Sequence, residues 1–468
     1  MAETDVRADF IDESGIESLI AKHRVADHKR VREVLAKARE LKGITAEDVA
    51  ILVAVEEPEL RDELFATAQA VKQEIYGTRI VFFAPLYISN RCANECSYCA
   101  FRARNAELER RTLNQEEISA EVRALVDQGH KRVLVVAGES YPDRKGLQYV
   151  VEAIRTVYNT RSERGDIRRV NVNVAPLTVE QFRELKAADI SVYQIFQETY
   201  HRATYARVHL AGPKRNYDWR LTAMDRAMEA GIRDVGIGPL FGLYDWRFEV
   251  LAMMQHIRHL EERYGCGAHT ISVPRLEPAA GSEMASNPPH AVSDADFLKI
   301  IAILRLAVPS VGLVMSTRES AEIRRKSFQI GISQTSAGSR TDPGGYEEAA
   351  AGFTSGQFLV GDQRPLDEVV REVAEMGFTP SFCTACYRLN RTGKDFMDLA
   401  KPGAIKYHCS PNALSSFVEY LENYASESTK ATGKRHVLDQ MATMNIGQLR
   451  RVAPMLARVR CGEKDVFI

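Results

Sequence analysis

A (β/α)8 barrel, with a helical segment before it and a mainly helical domain after it, is the α/β architecture this sequence predicts. Three observations predict it. Eight apolar, β-branched runs recur along the middle of the chain, amphipathic stretches separate them, and polar residues gather just after the runs. A doubly wound sheet would accommodate the count of runs, but not polar groups at the ends of so many of them.

Residues 1–77 read as helices. Val31, Val34, Leu35, Ala38 and Leu41 follow helical spacing, Thr45 and Asp48 have capping-box spacing, and Gly77 stands as a stop after Ile75. The barrel is expected over 78–372. Its runs are Ile80–Ile88, Val133–Ala137, Val170–Ala175, Val192–Phe196, Val235–Leu240, Thr270–Val273, Val311–Met315 and Phe328–Ser333. Thr178 and Gln181 mark a helix start between two of them, and Gly129 and Gly231 mark helix ends. A further domain is expected over 373–468, with an amphipathic helix over Ala413–Tyr424.

Lys and Arg number 62 against 63 Asp and Glu, for a formal charge of −1. Without a basic surplus there is no reason to expect a nucleic-acid partner. No apolar run approaches the roughly 18 residues of a membrane span. The start, MAETDVRADFIDESG, is polar and acidic rather than a signal peptide. A cytoplasmic protein is expected, and there its eight cysteines are better read as metal ligands than as disulfides.

Six of those cysteines form two clusters. YISNRCANECSYCAFRARN follows the first run and places Cys92, Cys96 and Cys99 on one loop, with aromatic Tyr98 before the last. Three thiolates can hold three irons of a 4Fe–4S cluster and leave the fourth open to the amino and carboxylate groups of S-adenosylmethionine. Zinc favours paired knuckles and tetrahedral closure, and this loop contains no fourth Cys or His. The second cluster is Cys383, Cys386 and Cys409. A structural zinc site completed by His408 competes there, but a second iron–sulfur cluster gains weight from the first.

These residues resemble the radical S-adenosylmethionine superfamily, whose barrel carries its cluster loop after the first strand. The resemblance implies a methionine-binding turn at Gly138 and Glu139 and a ribose contact at Gln197 and Glu198. It also implies an adenine-side segment at Gly236 and Gly238, with Arg226 on the methionine carboxylate. Over nearly the whole chain, stretches such as APLYISN, FQETYHR, LTAMDRAMEAGI, HTISVPR, GISQTSAGS and CTACYR resemble the tyrosine lyases that mature the FeFe-hydrogenase. The related 2-iminoacetate synthases of thiamine biosynthesis also cut tyrosine but lack the C-terminal cysteine triplet.

That likeness implies Cα–Cβ cleavage of L-tyrosine to p-cresol and dehydroglycine, then carbon monoxide and cyanide formed at the second cluster. The second cluster would carry a further iron held by His269 and a free L-cysteine. Expected partners are an electron donor such as a flavodoxin or ferredoxin and other hydrogenase maturation proteins. For the tyrosine carboxylate the candidates are Arg318, whose guanidinium fork suits a planar anion, and Arg275; Gln334, Ser336 and Ser339 would complete the pocket. The sequence departs from the family pattern at CAFRARN, at YPDRKG and at Arg340. Cys266 and Cys461 receive no role.

Overall fold

The structure is a computed structural model and describes residues 8–140, 144–347 and 356–468. The first seven residues of the acidic start and the opening of YPDRKG, residues 141–143, lie outside the described residues. Nine parallel strands form one sheet: β1 Arg79–Ser89, β2 Arg132–Ala137, β3 Arg169–Asn173, β4 Tyr193–Gln194, β5 Val235–Ile237, β6 Thr270–Ser272, β7 Gly312–Met315, β8 Gln334–Ser336 and β9 Thr379–Ser381. The first eight are neighbours in chain order. β1 pairs with β8 through Val81–Gln334, Phe82–Thr335 and Phe83–Ser336, closing a barrel.

Two-residue alternation sorts the side chains of each strand. On β1, Ile80, Phe82, Ala84, Leu86 and Ile88 enter the large core shared with the surrounding helices. Phe83 and Tyr87 point into the lumen, where they join Leu134, Val136 and Val314. Helices end where the sequence predicts. Capping boxes at Thr45 and Thr178 start Ala46–Val53 and Val179–Ala187, and Gly129, with φ 104°, closes Gln115–Gln128.

The eighth strand differs from expectation. Phe328 and Ile330 belong to the helix Ala321–Ile330, and the strand is the polar triplet Gln334–Ser336 that follows. The four helices before the barrel run from Glu13 to Tyr76 and pack on its outer helices Trp246–Tyr264, Asp294–Ala307 and Ala321–Ile330. The expected boundary at 372 falls inside one helix, Leu366–Glu375. Among the described residues, no helix is long and apolar enough to cross a membrane.

The tail is fastened by β9, which pairs with the first three residues of β1: Arg79–Thr379, Ile80–Pro380 and Val81–Ser381. β2 takes the same edge higher up, from Ala84 to Ser89. An aromatic stack seals the joint. Phe82 lies on Phe382 with ring centroids 5.6 Å apart, and Phe382 lies on Tyr420 of the helix Lys406–Asn423 at 4.8 Å. Phe382→Ala should therefore cost about 3–5 kcal/mol. In denaturant titrations and limited proteolysis the tail should loosen first; unchanged resistance of the tail would show that β9 alone holds it.

Candidate active site

Two cavities occupy opposite mouths of the barrel. At the C-terminal mouth, the loop after β1 presents Cys92, Cys96 and Cys99 to a cavity of about 1410 Å³, open solvent at its entrance included. The loop is pinned by buried asparagines. Asn94 Nδ2 donates to Glu139 Oε2 (2.9 Å), and its Oδ1 accepts from the Lys214 backbone N–H (2.9 Å). Asn105 Nδ2 donates to the carbonyls of Ala100 and Ala280. The segment Glu95–Cys96 pairs antiparallel with His209–Ala211, and Tyr98 Oη lies 2.9 Å from His209 Nε2.

The sulfurs carry donors of their own. The Asn94 N–H faces Cys92 Sγ at 3.5 Å, and Gln357 Nε2 faces Cys99 Sγ at 3.8 Å. Gln357 Oε1 in turn accepts from the Tyr87 hydroxyl at 2.8 Å. Burial, aided by Glu139, pushes the Cys92 thiol up to about 11, and burial raises Cys96 and Cys99 as well. Three shielded thiols sharing one cavity form a donor set that fits an iron–sulfur cluster, whose positive irons favour the thiolate forms.

Beside the loop lies a balanced charge network. Arg220 donates to Glu139 Oε1 (3.0 Å), to Glu198 Oε1 (3.5 Å) and to the Phe196 carbonyl (2.6 Å). Lys214 Nζ donates to Glu198 Oε1 at 2.6 Å. Burial opposes the Glu139 charge, and Arg220 and Lys214 outweigh it, holding the carboxyl below its ordinary value. Further round the wall stand Arg318, Glu277, Ser336, Ser339 and Thr341. Arg318 rests on the Phe358 ring at 3.3 Å, and the buried Ser339 hydroxyl has no hydrogen-bond partner among the described residues.

At the N-terminal mouth, Cys383 stands two residues past β9, Cys386 lies in the short helix Ala385–Arg388, and Cys409 lies in the first turn of Lys406–Asn423. All three line a smaller cavity, of about 560 Å³, together with Arg79, Arg132 and His269. Cys409 shares a hydrogen bond with Cys386 and faces Arg79 and Arg391, which together hold its thiol below the ordinary range. Arg132 donates to the Cys383 carbonyl at 2.9 Å. His269 is buried, with Nδ1 3.4 Å from Asp234 Oδ1 and its ring 4.6 Å from that of Phe396. His408 does not line this cavity. Among the described residues, no three His, Cys, Asp or Glu side chains converge to hold a single metal ion, whereas ligands of separate irons in one cluster stand further apart.

The structure revises several expected site residues. Arg275 is spent on Glu319 and on Asp294 (2.8 Å) and does not line the upper cavity. Gln334 pairs with Val81 at the foot of β8 and lines the lower cavity. Arg226 stacks on Trp219 at 3.5 Å and donates to the Leu177 and Trp219 carbonyls, away from both cavities. Gln197 is buried behind its neighbours Phe196 and Glu198, which do line the upper cavity. Gly236 and Gly238 serve close strand approach. A Cβ at Gly236 would meet Thr270 Oγ1, and one at Gly238 would meet the Ser272 carbonyl. Gly138 lines the upper cavity, and a Cβ there would strike the Arg91 carbonyl.

Lys214, Arg220, Glu277 and Asp234 were not anticipated. One signal was available for the lower cavity. Arg79, Arg132, Asp234 and His269 each open or immediately precede a barrel strand, where an apolar run would otherwise begin.

A model of the radical SAM superfamily matches residues 86–254, and one of the biotin and thiamin synthesis associated domain matches 272–379. The 2-iminoacetate synthase of Escherichia coli is 32% identical over 341 residues, 72% of this chain and 86% of that protein. A crystal structure of HydG, a maturase of the FeFe-hydrogenase, is 47% identical with a TM-score of 0.94, covering 98% of this chain and 100% of that one. The HydG structure from Carboxydothermus hydrogenoformans is 41% identical with a TM-score of 0.82, over 95% and 97% of the two chains.

The chain belongs to the radical SAM family of HydG and 2-iminoacetate synthase. Members of that superfamily use S-adenosylmethionine and a 4Fe–4S cluster, and the three thiols of the β1 loop suit the cluster. Methylornithine synthase, 20% identical with a TM-score of 0.60, shares the fold alone.

The charge network beside the loop yields a stability test. Arg220→Met strands Glu139 and Glu198 without their guanidinium and should destabilise the protein by about 3–5 kcal/mol near neutral pH. In wild type the depressed Glu139 contributes stability above its ordinary carboxylate value, and that stability is lost as pH falls through the folded value. The variant lacks this contribution, so the gap between the two proteins should narrow in acid. A gap in thermal unfolding that stayed constant with pH would refute the pairing.

Proposed function

We propose that this chain is a tyrosine lyase that cleaves the Cα–Cβ bond of L-tyrosine to p-cresol and dehydroglycine. It then converts the fragment to carbon monoxide and cyanide at iron held by its tail, for maturation of an FeFe-hydrogenase. The observation that carries this reading is the pair of cysteine triplets at opposite mouths of one barrel. The HydG structures match the chain over 98% and 95% of its length, tail included, whereas the 2-iminoacetate synthase match spans 72%. A lyase of the 2-iminoacetate type is the second reading, favoured by the 2-iminoacetate synthase likeness over the barrel.

When bound, the first cluster supplies the electron that breaks a C–S bond of S-adenosylmethionine. Cys92, Cys96 and Cys99 would hold three of its irons. Gly138 offers the backbone approach for the methionine end, and Glu139 and Glu198, steadied by Lys214 and Arg220, offer carboxylates to amino and ribose groups. Tyr98 buttresses the loop through His209. Phe83, Leu134, Val136 and Val314 wall the cavity and exclude water around the reacting groups. Arg318 would take the tyrosine carboxylate, with Ser336 and Ser339 alongside.

Below, Cys383, Cys386 and Cys409 would hold the second cluster. His269 and a free L-cysteine would hold the further iron, with the Asp234 carboxylate 3.4 Å from the imidazole Nδ1. A flavodoxin or ferredoxin is the proposed electron donor, other maturation proteins the proposed recipients, and the cytoplasm the proposed location.

Two tests divide the reading. Cys96→Ala should abolish 5′-deoxyadenosine. Cys409→Ser should still form 5′-deoxyadenosine and p-cresol yet lose carbon monoxide, with cyanide reduced. Full carbon monoxide yield from a Cys409→Ser protein lacking the second cluster would end the proposed role of the tail. Arg318→Lys keeps the charge and loses the two-pronged geometry, so tyrosine should bind roughly tenfold more weakly, with more uncoupled cleavage of S-adenosylmethionine. Equilibrium binding of tyrosine checks this, and unchanged affinity would remove Arg318 from the pocket.

A further inference from the structure

We propose that Glu277 recognises the amino group of the substrate, so that with Arg318 it makes a two-ended clamp for a free α-amino acid. This rests on the tyrosine lyase reading and goes further, because it assigns a residue that sets which molecules the upper cavity accepts.

Seven charged side chains face that cavity, and five of them are paired. Glu139, Glu198, Lys214 and Arg220 neutralise one another, and Arg102 pairs with Glu95 at 2.9 Å. That leaves Arg318 and Glu277. Among the described residues, neither the Arg318 guanidinium nor the Glu277 carboxylate makes a side-chain hydrogen bond or ion pair, although both line the cavity and each feels the other's charge. The carboxylate next along the chain from Arg318 is Glu319, which would be its natural competitor. Glu319 is buried and already held from both of its oxygens by Arg275. The Arg275 pairing thus keeps Arg318 available.

Glu277 is held in place on both sides. The Leu276 N–H donates to the Phe241 carbonyl at 2.8 Å, and the Pro278 carbonyl accepts from the Leu359 N–H at 2.9 Å. Burial, then the neighbouring Glu319, pushes the Glu277 carboxyl up to about 6, so its ionised form lacks the solvation or partner that would stabilise it. Arg318 has the Phe358 ring beneath it, but among the described residues neither charge has a hydrogen-bonding or ionic partner, and a cation and an anion left so in one cavity are costly to maintain. One ligand relieves both costs if it carries a carboxylate and an ammonium on a single carbon, and an α-amino acid does. A substrate lacking the amino group would leave Glu277 unpaired, and a site built to pair a polar group penalises its absence.

The experiment measures equilibrium binding of two ligands to the full chain with its iron and sulfide reconstituted: L-tyrosine, and 3-(4-hydroxyphenyl)propionate, which differs only by the missing amino group. Wild type should prefer tyrosine by at least tenfold. In Glu277→Gln that preference should collapse towards one, through loss of tyrosine affinity, with S-adenosylmethionine affinity unchanged. In Glu277→Asp, which keeps the charge one methylene further back, the preference should be intermediate, and this variant decides the matter if Glu277→Gln does not fold.

A preference as large as that of wild type in either variant would overturn the assignment. So would a loss of S-adenosylmethionine affinity with the preference intact, which would assign Glu277 to the nucleoside. Wild type that binds tyrosine no better than its des-amino analogue would also overturn it while leaving the lyase reading standing. Wild type that binds neither ligand would overturn both.

Discussion

The hydrogen-bonded ladder of β1 is the constraint on which the molecule depends. Over eleven residues this strand closes the barrel against β8, carries β2 along its upper edge and receives β9 along the lower part of that same edge. Its C-terminal end delivers the loop with Cys92, Cys96 and Cys99, and its N-terminal end fixes the strand that precedes Cys383. Neither triplet is free to move independently of the other, because both are referred to one rigid element. Rigid strands set side-chain positions better than loops do, which suits sites whose ligands must keep a fixed spacing.

Charge is handled differently at the two mouths. At the upper mouth, acidic and basic side chains are paired in equal number around the cluster loop, and the unpaired charges, Arg318 and Glu277, stand apart from that network further round the wall. At the lower mouth the balance tips positive: Arg79, Arg132 and Arg391 surround thiols, with Asp234 as the carboxylate on the imidazole side. A basic surround favours anionic sulfur and, around a cluster, offsets the negative charge that thiolates and sulfides bring with them.

Much of this was legible in the sequence. The helical preamble, seven of the eight barrel strands, the caps at Thr45 and Thr178 and both cysteine triplets can be read from periodicity and spacing. The eighth strand was not, and the reason is physical. Phe328 and Ile330 look like a strand because they are apolar and partly β-branched, but they are the buried face of a helix end. Gln334, Thr335 and Ser336 look like a loop because they are polar, yet they are the strand. Residues that face a functional lumen abandon the hydrophobic rule by which strands are recognised.

The same holds for Arg220 and Lys214, which sit among surface-like residues and acquire meaning only where they meet Glu139 and Glu198. Glycines mislead in the other direction. Gly236 and Gly238 suggest a ligand's approach, but what approaches them is the neighbouring strand.

The shared edge of β1 has one more consequence. Below Ala84, the backbone groups of Arg79, Ile80 and Val81 on that side have β9 as their partner, and β2 begins too high to replace it. A chain ending before Thr379 would leave a short, apolar, straight stretch of sheet edge with its hydrogen-bonding groups exposed and Phe82 uncovered behind it. Such an edge is a template for pairing with other chains. The tail is thus also a guard against self-association, and a barrel of this kind that dispensed with it would need a bulge, a charge or another segment at that spot to remain monodisperse.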